Sequence, residues 1–201
     1  MRWTIADRSV YHQGVAPPSA RQRILDTAFR LFYARGLRAV GVDTIIAESG
    51  VAKATFYKHF PAKDDLVLAY LEKVDGIWSQ QLHDAAAAAG PEPRAQLVGL
   101  FDALGTACRR DGYRGCAFIN AAAEATPGTP VHERTVAHKR DVLSWVRGLA
   151  AEAGAEDPDG LARSLTLLLD GGLASGALDA DPASAVHARA SAEHLVAAAL
   201  Q

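Results

Sequence analysis

The chain has 201 residues, 49% of them hydrophobic, with 21 Lys and Arg against 23 Asp and Glu for a formal net charge of −2. That length and apolar content allow one large or two small domains with a buried core. No run of 18 apolar residues escapes charges or breakers, the first 20 residues lack a secretory apolar stretch, and two cysteines exclude a disulfide scaffold, so the expected location is cytoplasmic.

Charge is unevenly placed. Residues 1–73 hold 11 basic and 7 acidic side chains, and residues 74–201 hold 10 and 16, giving +4 and −6. A basic front suits a molecule that presents one end to a polyanion; an excess this small also arises by chance.

Residues 1–18 close on Ala16-Pro17-Pro18 and read as a flexible N-terminal arm. Ser19 to Gln22 forms a capping-box pattern, after which Ile24, Leu25, Ala28, Leu31 and Phe32 fall at helical spacing. The first helix is therefore predicted over about 20–35, with Gly36 as its stop. A second helix begins near Val42, with Ile45, Ile46 and Val51 as apolar anchors. Gly50 stands where the chain turns sharply, a place for positive φ. A third helix spans roughly 53–59. Phe56 and Phe60, four apart, share one buried face. Pro61 ends that helix and opens a fourth, which runs through Leu66, Leu68, Leu71, Val74 and Trp78 to about Ala88.

Gly90-Pro91-Glu92-Pro93 marks a break, and the rest shows helical patterns without sustained strand alternation. Leu97, Leu100, Phe101, Leu104 and Cys108 fit one helix ending before Asp111-Gly112. Gly115 to Ala125 reads as a buried helix and Thr126 to Pro130 as a loop. Val131 to Ala153 carries Val142, Trp145, Val146 and Leu149 on one side. Leu161 to Leu178 is apolar nearly all round, predicting burial on every face, and Gly172 and Gly176 admit a close helix neighbour. Ala183 to Leu200 is Ala-rich. The fold class expected is all-α.

The pair of short helices at 42–59, with Lys53, Thr55, Tyr57, Lys58 and His59 on the second, has the logic of a helix-turn-helix, whose second helix enters the DNA major groove. Ile45-Ile46-Ala47-Glu48-Ser49-Gly50-Val51, Thr55-Phe56-Tyr57-Lys58-His59-Phe60 and Lys63-Asp64-Asp65-Leu66 resemble the DNA-binding region of TetR-type transcriptional regulators. The resemblance is specific over about 20–70, moderate over 110–125 and 161–200, and nearly absent elsewhere.

Position and chemistry make Lys53, Ala54 and Thr55 the base readers. The resemblance implies phosphate contacts from Tyr57, His59 and Lys63. Gly41 and Ala62 stand where the family usually has hydroxyl residues, so Thr44 is expected to take over one phosphate contact. Lys58 either joins these donors or is solvated, and His59 is alternatively a core residue. Arg2 and Arg8 either touch DNA or belong to a disordered tail.

The resemblance implies a DNA-binding domain over 19–66 and a helical effector-binding and dimerisation domain over 67–201. The whole would be a dimeric regulator, by default a repressor, that leaves a palindromic operator when a small-molecule effector binds. Its partners are double-stranded DNA, a second copy of itself and an effector, with no membrane and no cofactor. Candidate pocket residues are Trp78, Phe101, Leu104, Cys116, Phe118, Asn120, Glu124 and Trp145. Asn120 and Glu124, four apart in an apolar stretch, either meet a ligand or bond neighbouring helices. Arg114 to Asn120 with Glu124 also resembles a motif of one TetR-like subgroup and is structural on that reading. The last two helices imply an interface through Leu165, Leu169, Gly172, Leu173, Gly176, Val186 and Leu195; an intrachain core is the alternative.

Three other functions compete. Cys108 or Cys116, near Arg109, Arg110 and Arg114, would suit a redox or electrophile sensor if its pKa were lowered. A helical enzyme lacks any nucleophile elbow, phosphate loop or zinc helix in this sequence. His132, Glu133 and His138 make a poor metal set, because a spacing of six puts the histidines on different helix faces and predicts solvated surface. A non-specific DNA-compacting protein conflicts with the small +4 front.

Overall fold

The computed structural model describes residues 17–179 and 183–200. The N-terminal arm, with Arg2 and Arg8, lies outside them. The described residues form ten helices and no strand. They are α1 (Ala20–Arg35), α2 (Val42–Ser49), α3 (Lys53–His59), α4 (Lys63–Ala88), α5 (Pro93–Gly99), α6 (Phe101–Cys108), α7 (Ala117–Glu124), α8 (Pro130–Glu152), α9 (Pro158–Leu178) and α10 (Ala183–Ala199). The chain divides into two compact units between Tyr70 and Leu71, within α4. That is four residues beyond the Leu66 boundary read from the sequence. Tyr70 is the reason: its ring meets Phe29 and Phe32 of α1 edge-on, with centroids 5.7 and 5.6 Å apart.

In the first unit, Ser19 caps α1 by accepting from the Gln22 amide at 3.1 Å. The capping box is half made, because the Gln22 side chain donates to Asp26 instead. Ile24, Leu25, Ala28, Leu31 and Phe32 form the buried stripe of α1, at the spacing expected. Arg30 ties α1 to α2 by an ion pair with Glu48, and Arg35 approaches the same carboxylate at 3.9 Å. The hydrogen bond from Arg30 holds the Glu48 carboxyl below its ordinary range. Gly50 ends α2 at φ 65°, a left-handed conformation that β-carbons disfavour. Ile45, Val51, Phe56 and Phe60 close the core beneath.

In the second unit, α5 and α6 replace the single helix expected over 97–108. Leu100 keeps helical angles, φ −55° and ψ −25°, so the break is a kink. It follows Gly99, a weak helix former held so close to the preceding turn that a Cβ there would lie 2.4 Å from that of Ala89. The core joins Leu82 and Ala86 to Leu97, Leu100, Phe101 and Leu104, to Val146 and Leu149, and to Leu165, Leu169 and Leu173. Helix α7 is only half buried: Ala117, Phe118 and Ala121 face inward while Ile119 and Asn120 are exposed. Helix α9 also departs from expectation. Leu167 is 73% exposed and Leu178 84% exposed, on a stripe that includes Gly171 and Ala174.

Candidate DNA interface

Helices α2 and α3 are short enough that packing, not propensity, must hold them. Phe56 and Phe60 anchor α3 with ring centroids 6.2 Å apart, and Tyr57 stands edge-on to Phe56 at 5.3 Å. Burying that face turns the opposite one outward. Lys53, Ala54, Tyr57 and Lys58 are exposed, and Thr55 and His59 are half-buried. One short helix thus offers an ammonium, a methyl, a hydroxyl and a phenol to a partner, all on a rigid base. Thr44 is half-buried in the first turn of α2. No side chain caps α2 at Gly41, as the missing hydroxyl implies.

Two of the cations have protein partners here. Lys53 Nζ lies 3.6 Å from Asp43 Oδ1, both highly exposed, a pair worth little in water. Lys63 is more firmly held: its Nζ donates to the Leu37 carbonyl at 2.6 Å and lies 6.0 Å from the centre of the Phe32 ring. Besides the phosphate contact expected, Lys63 therefore braces the turn between α1 and α2. At the start of α4, Asp65 accepts from the Ala62 amide at 2.8 Å, the half of a capping box that does not need a hydroxyl at position 62.

The effector residues expected from the sequence have different surroundings. Phe101 and Leu104 are fully buried in the core. Asn120 is exposed and donates to the Arg114 carbonyl at 2.8 Å, closing the turn before α7, so its bond is structural. Cys116 is the N-cap residue of α7, Glu124 is half-buried, and Trp78 and Trp145 are partly buried against the core. The Trp145 ring meets His83 edge-on at 4.4 Å. Only Phe118 of the eight lines the groove of about 300 Å³ between α7 and α8, with Ile119, Ala122, His132, Val136 and Leu143 among its neighbours.

A polar cluster missed in the sequence lies inside this unit. His138 is 1% exposed, which corrects its expected place on a solvated surface. Its Nδ1 faces Asp75 Oδ1 at 2.5 Å, Arg134 pairs with the other carboxylate oxygen, and its ring stacks on Phe118 with centroids 3.6 Å apart. Burial pushes the imidazole pKa down, outweighing the upward pull of Asp75. Burial also raises the Asp75 carboxyl, but hydrogen bonds from Arg134 and His138 together hold it below its ordinary value. A neutral imidazole therefore donates from Nδ1 to a carboxylate, leaving Nε2 as a buried atom without a hydrogen-bond partner. A spacing of 63 residues between Asp75 and His138 hid the cluster. No group of three or more His, Cys, Asp or Glu suited to a metal occurs among the described residues.

Five of the seven residues expected at a subunit interface are corrected by burial in their own chain. Leu165, Leu169, Gly172, Leu173 and Gly176 face inward. The close neighbour admitted by the glycines is α6: a Cβ on Gly172 would fall 2.4 Å from Leu104 Cδ2, and one on Gly176 2.6 Å from Cys108 Sγ. Val186 and Leu195 are exposed, as an interface requires. Cys108 is wedged there, and burial pushes its thiol pKa up, opposite to a reactive thiolate.

The geometry has counterparts among known proteins. A sequence model of the bacterial regulatory proteins of the TetR family matches residues 24–70. The HTH-type transcriptional regulator YjdC of Escherichia coli is 23% identical over 156 residues, 75% of this chain and 80% of that protein. The HTH-type regulator YerO of Bacillus subtilis is 37% identical over 57 residues, 28% of this chain and only 20% of its own length. A crystal structure of a TetR-family transcriptional regulator from Streptomyces coelicolor superposes with a TM-score of 0.85 at 38% identity, covering 90% of this chain and 96% of that one. Among the described residues no helix is long and apolar enough to cross a membrane. With a DNA-binding helix-turn-helix at its front and a larger helical unit behind, the chain belongs to the TetR family of transcriptional regulators, a family of regulators and not of enzymes.

Proposed function

We propose that this regulator is a homodimeric repressor that reads a palindromic operator with α3 and leaves it when a small molecule binds the larger unit. The observation that carries the DNA part is the division of α3 into a buried aromatic face and an exposed face bearing Lys53, Ala54, Tyr57 and Lys58. Lys53, Ala54 and Thr55 stand nearest the front of the helix, where base edges are read. Thr44, Tyr57, Lys58, His59 and Lys63 supply donors for phosphate oxygens, which fix register without selecting sequence.

Dimerisation is supported by the exposed apolar stripe of α9, Leu167, Gly171, Ala174 and Leu178, and by Val186, Ala190 and Leu195 of α10. Apolar side chains this exposed on the last two helices mark an interaction surface. Two copies would set two recognition helices about one DNA turn apart, roughly 34–36 Å. Regulation then requires an effector with different affinities for two arrangements of the dimer. A cysteine sensor is disfavoured at Cys108 by its raised pKa.

Selection of bound duplexes from a random pool tests the reading. A palindrome with half-sites one turn apart is expected. A single unpaired half-site removes the dimer, and enrichment without any consensus removes specific recognition.

A further inference from the structure

We infer that the groove between α7 and α8 is a binding site for an amphipathic carboxylate, a single acid group on a medium-sized apolar body; its role as the effector site rests on the function proposed above. The floor and walls are apolar. Phe118, Ile119 and Ala122 come from α7, and Val136 and Leu143 from α8. At about 300 Å³ the space lies at the small end of the range that ligands occupy. Beneath it Phe118 stacks on the buried His138 with ring centroids 3.6 Å apart.

The polar groups on the rim have one sign. Lys139 and Arg140 are consecutive residues of α8 that both line the groove, and no Asp or Glu lines it. Lys139 is ion-paired with Asp170 of α9, while Arg140 is exposed. The Thr135 hydroxyl is used by its bond to the His132 carbonyl. His132 contributes to the wall, and its buried Nδ1 lies 3.7 Å from Glu133. An alkyl or aryl acid lays its chain on the apolar walls and sets its carboxylate at Arg140. An amine of the same length meets Arg140 as a like charge, and an alcohol leaves Arg140 without a counter-ion.

Octanoate, octanol and octylamine differ in the headgroup and serve as probes in calorimetric titration of the intact protein. Octanoate is expected to bind the wild type and to lose about tenfold in affinity in Arg140→Glu, which reverses the rim, and in Ala122→Trp, which fills the groove. Octylamine is expected not to bind. Absence of octanoate binding, equal binding by both variants, or equal binding of octylamine overturns the site. Sedimentation of Ala122→Trp guards against the other occupant: loss of the dimer there would make the groove a subunit contact and overturn the ligand. Operator affinity is read separately by fluorescence anisotropy. Octanoate held in the groove with operator affinity unchanged refutes the effector role and leaves the site standing. Failure of the unliganded protein to bind any selected duplex refutes the repressor reading alone.

Discussion

The two units of this chain sort their residues differently. In the first, large aromatic and aliphatic side chains other than Tyr57 go inside, charges stay outside, and each short helix shows this in its own sequence. In the second, an acid, an arginine and a histidine are drawn inward as Asp75, Arg134 and His138, while Leu167, Leu178 and Val186 are left in solvent. A surface for DNA is built from polar and cationic groups that solvent exposes in any case, so the first unit can follow the hydrophobic pattern closely. The second departs from it, and those departures mark where to look.

The contrast can be broken most directly at Phe56, the anchor of α3. Phe56→Ala should cost about 3–5 kcal/mol of stability in the first unit. Thermal unfolding followed by hydrogen exchange should show the loss confined to residues before Tyr70; loss spread evenly would join the two units into one cooperative body. Leu167→Glu comes next. If the exposed stripe is a subunit surface, sedimentation should show monomer and operator affinity should fall about 100-fold, or ~2.7 kcal/mol. An intact dimer would return Leu167 to the ordinary exposed leucines of any surface.

Tyr57→Phe removes one donor from the recognition helix. Binding to specific and random DNA should fall alike, by about tenfold at most, with the salt dependence unchanged because the phenol carries no charge. A changed sequence preference would move Tyr57 from phosphate anchor to base reader, a role now given to Lys53 and Thr55. Ser19→Ala tests a feature read from local sequence alone, and should cost about 1 kcal/mol through the lost cap of α1. Unchanged melting would mean that packing of the α1 stripe suffices.

The smallest effect is a dependence on pH. His138 has a depressed pKa in the folded chain, so on acidification the unfolded chain takes up its proton first, near its ordinary value of about 6.5. Stability should therefore fall as pH drops below that value. Asp75, also depressed, adds stability above about 3.8 that is lost at lower pH. His138→Phe keeps a ring on Phe118 and should flatten the melting temperature between pH 7 and 5. A slope as steep as the wild type's would place the titrating group elsewhere.

Much of the first unit was legible because its contacts are local. Ser19, Gly36, Gly50 and Pro61 punctuate it, and the apolar spacing within α1 names its buried stripe. The second unit hid its logic in distance. Nothing near residue 75 tells that Asp75 meets a histidine 63 residues later, and nothing in the run Leu165 to Leu173 separates the inward leucines from Leu167. Gly172 and Gly176 could be read as close-approach positions, but not that α6 of the same chain is what approaches. Gly99, just before the break at Leu100, likewise has its close neighbour outside its own helix, at Ala89.

By itself, the sequence determined the helical class, the helix-turn-helix and the side chains that α3 can offer to DNA. These depend on periodicity, capping and turn chemistry, which act over a few residues. Tertiary structure decided which face of each later helix is interior, which polar groups share a proton-bonding cluster, and where a groove remains between α7 and α8. Those depend on which helices pack together, and an α-helix rich in small apolar residues offers nearly equivalent faces until a neighbour selects one.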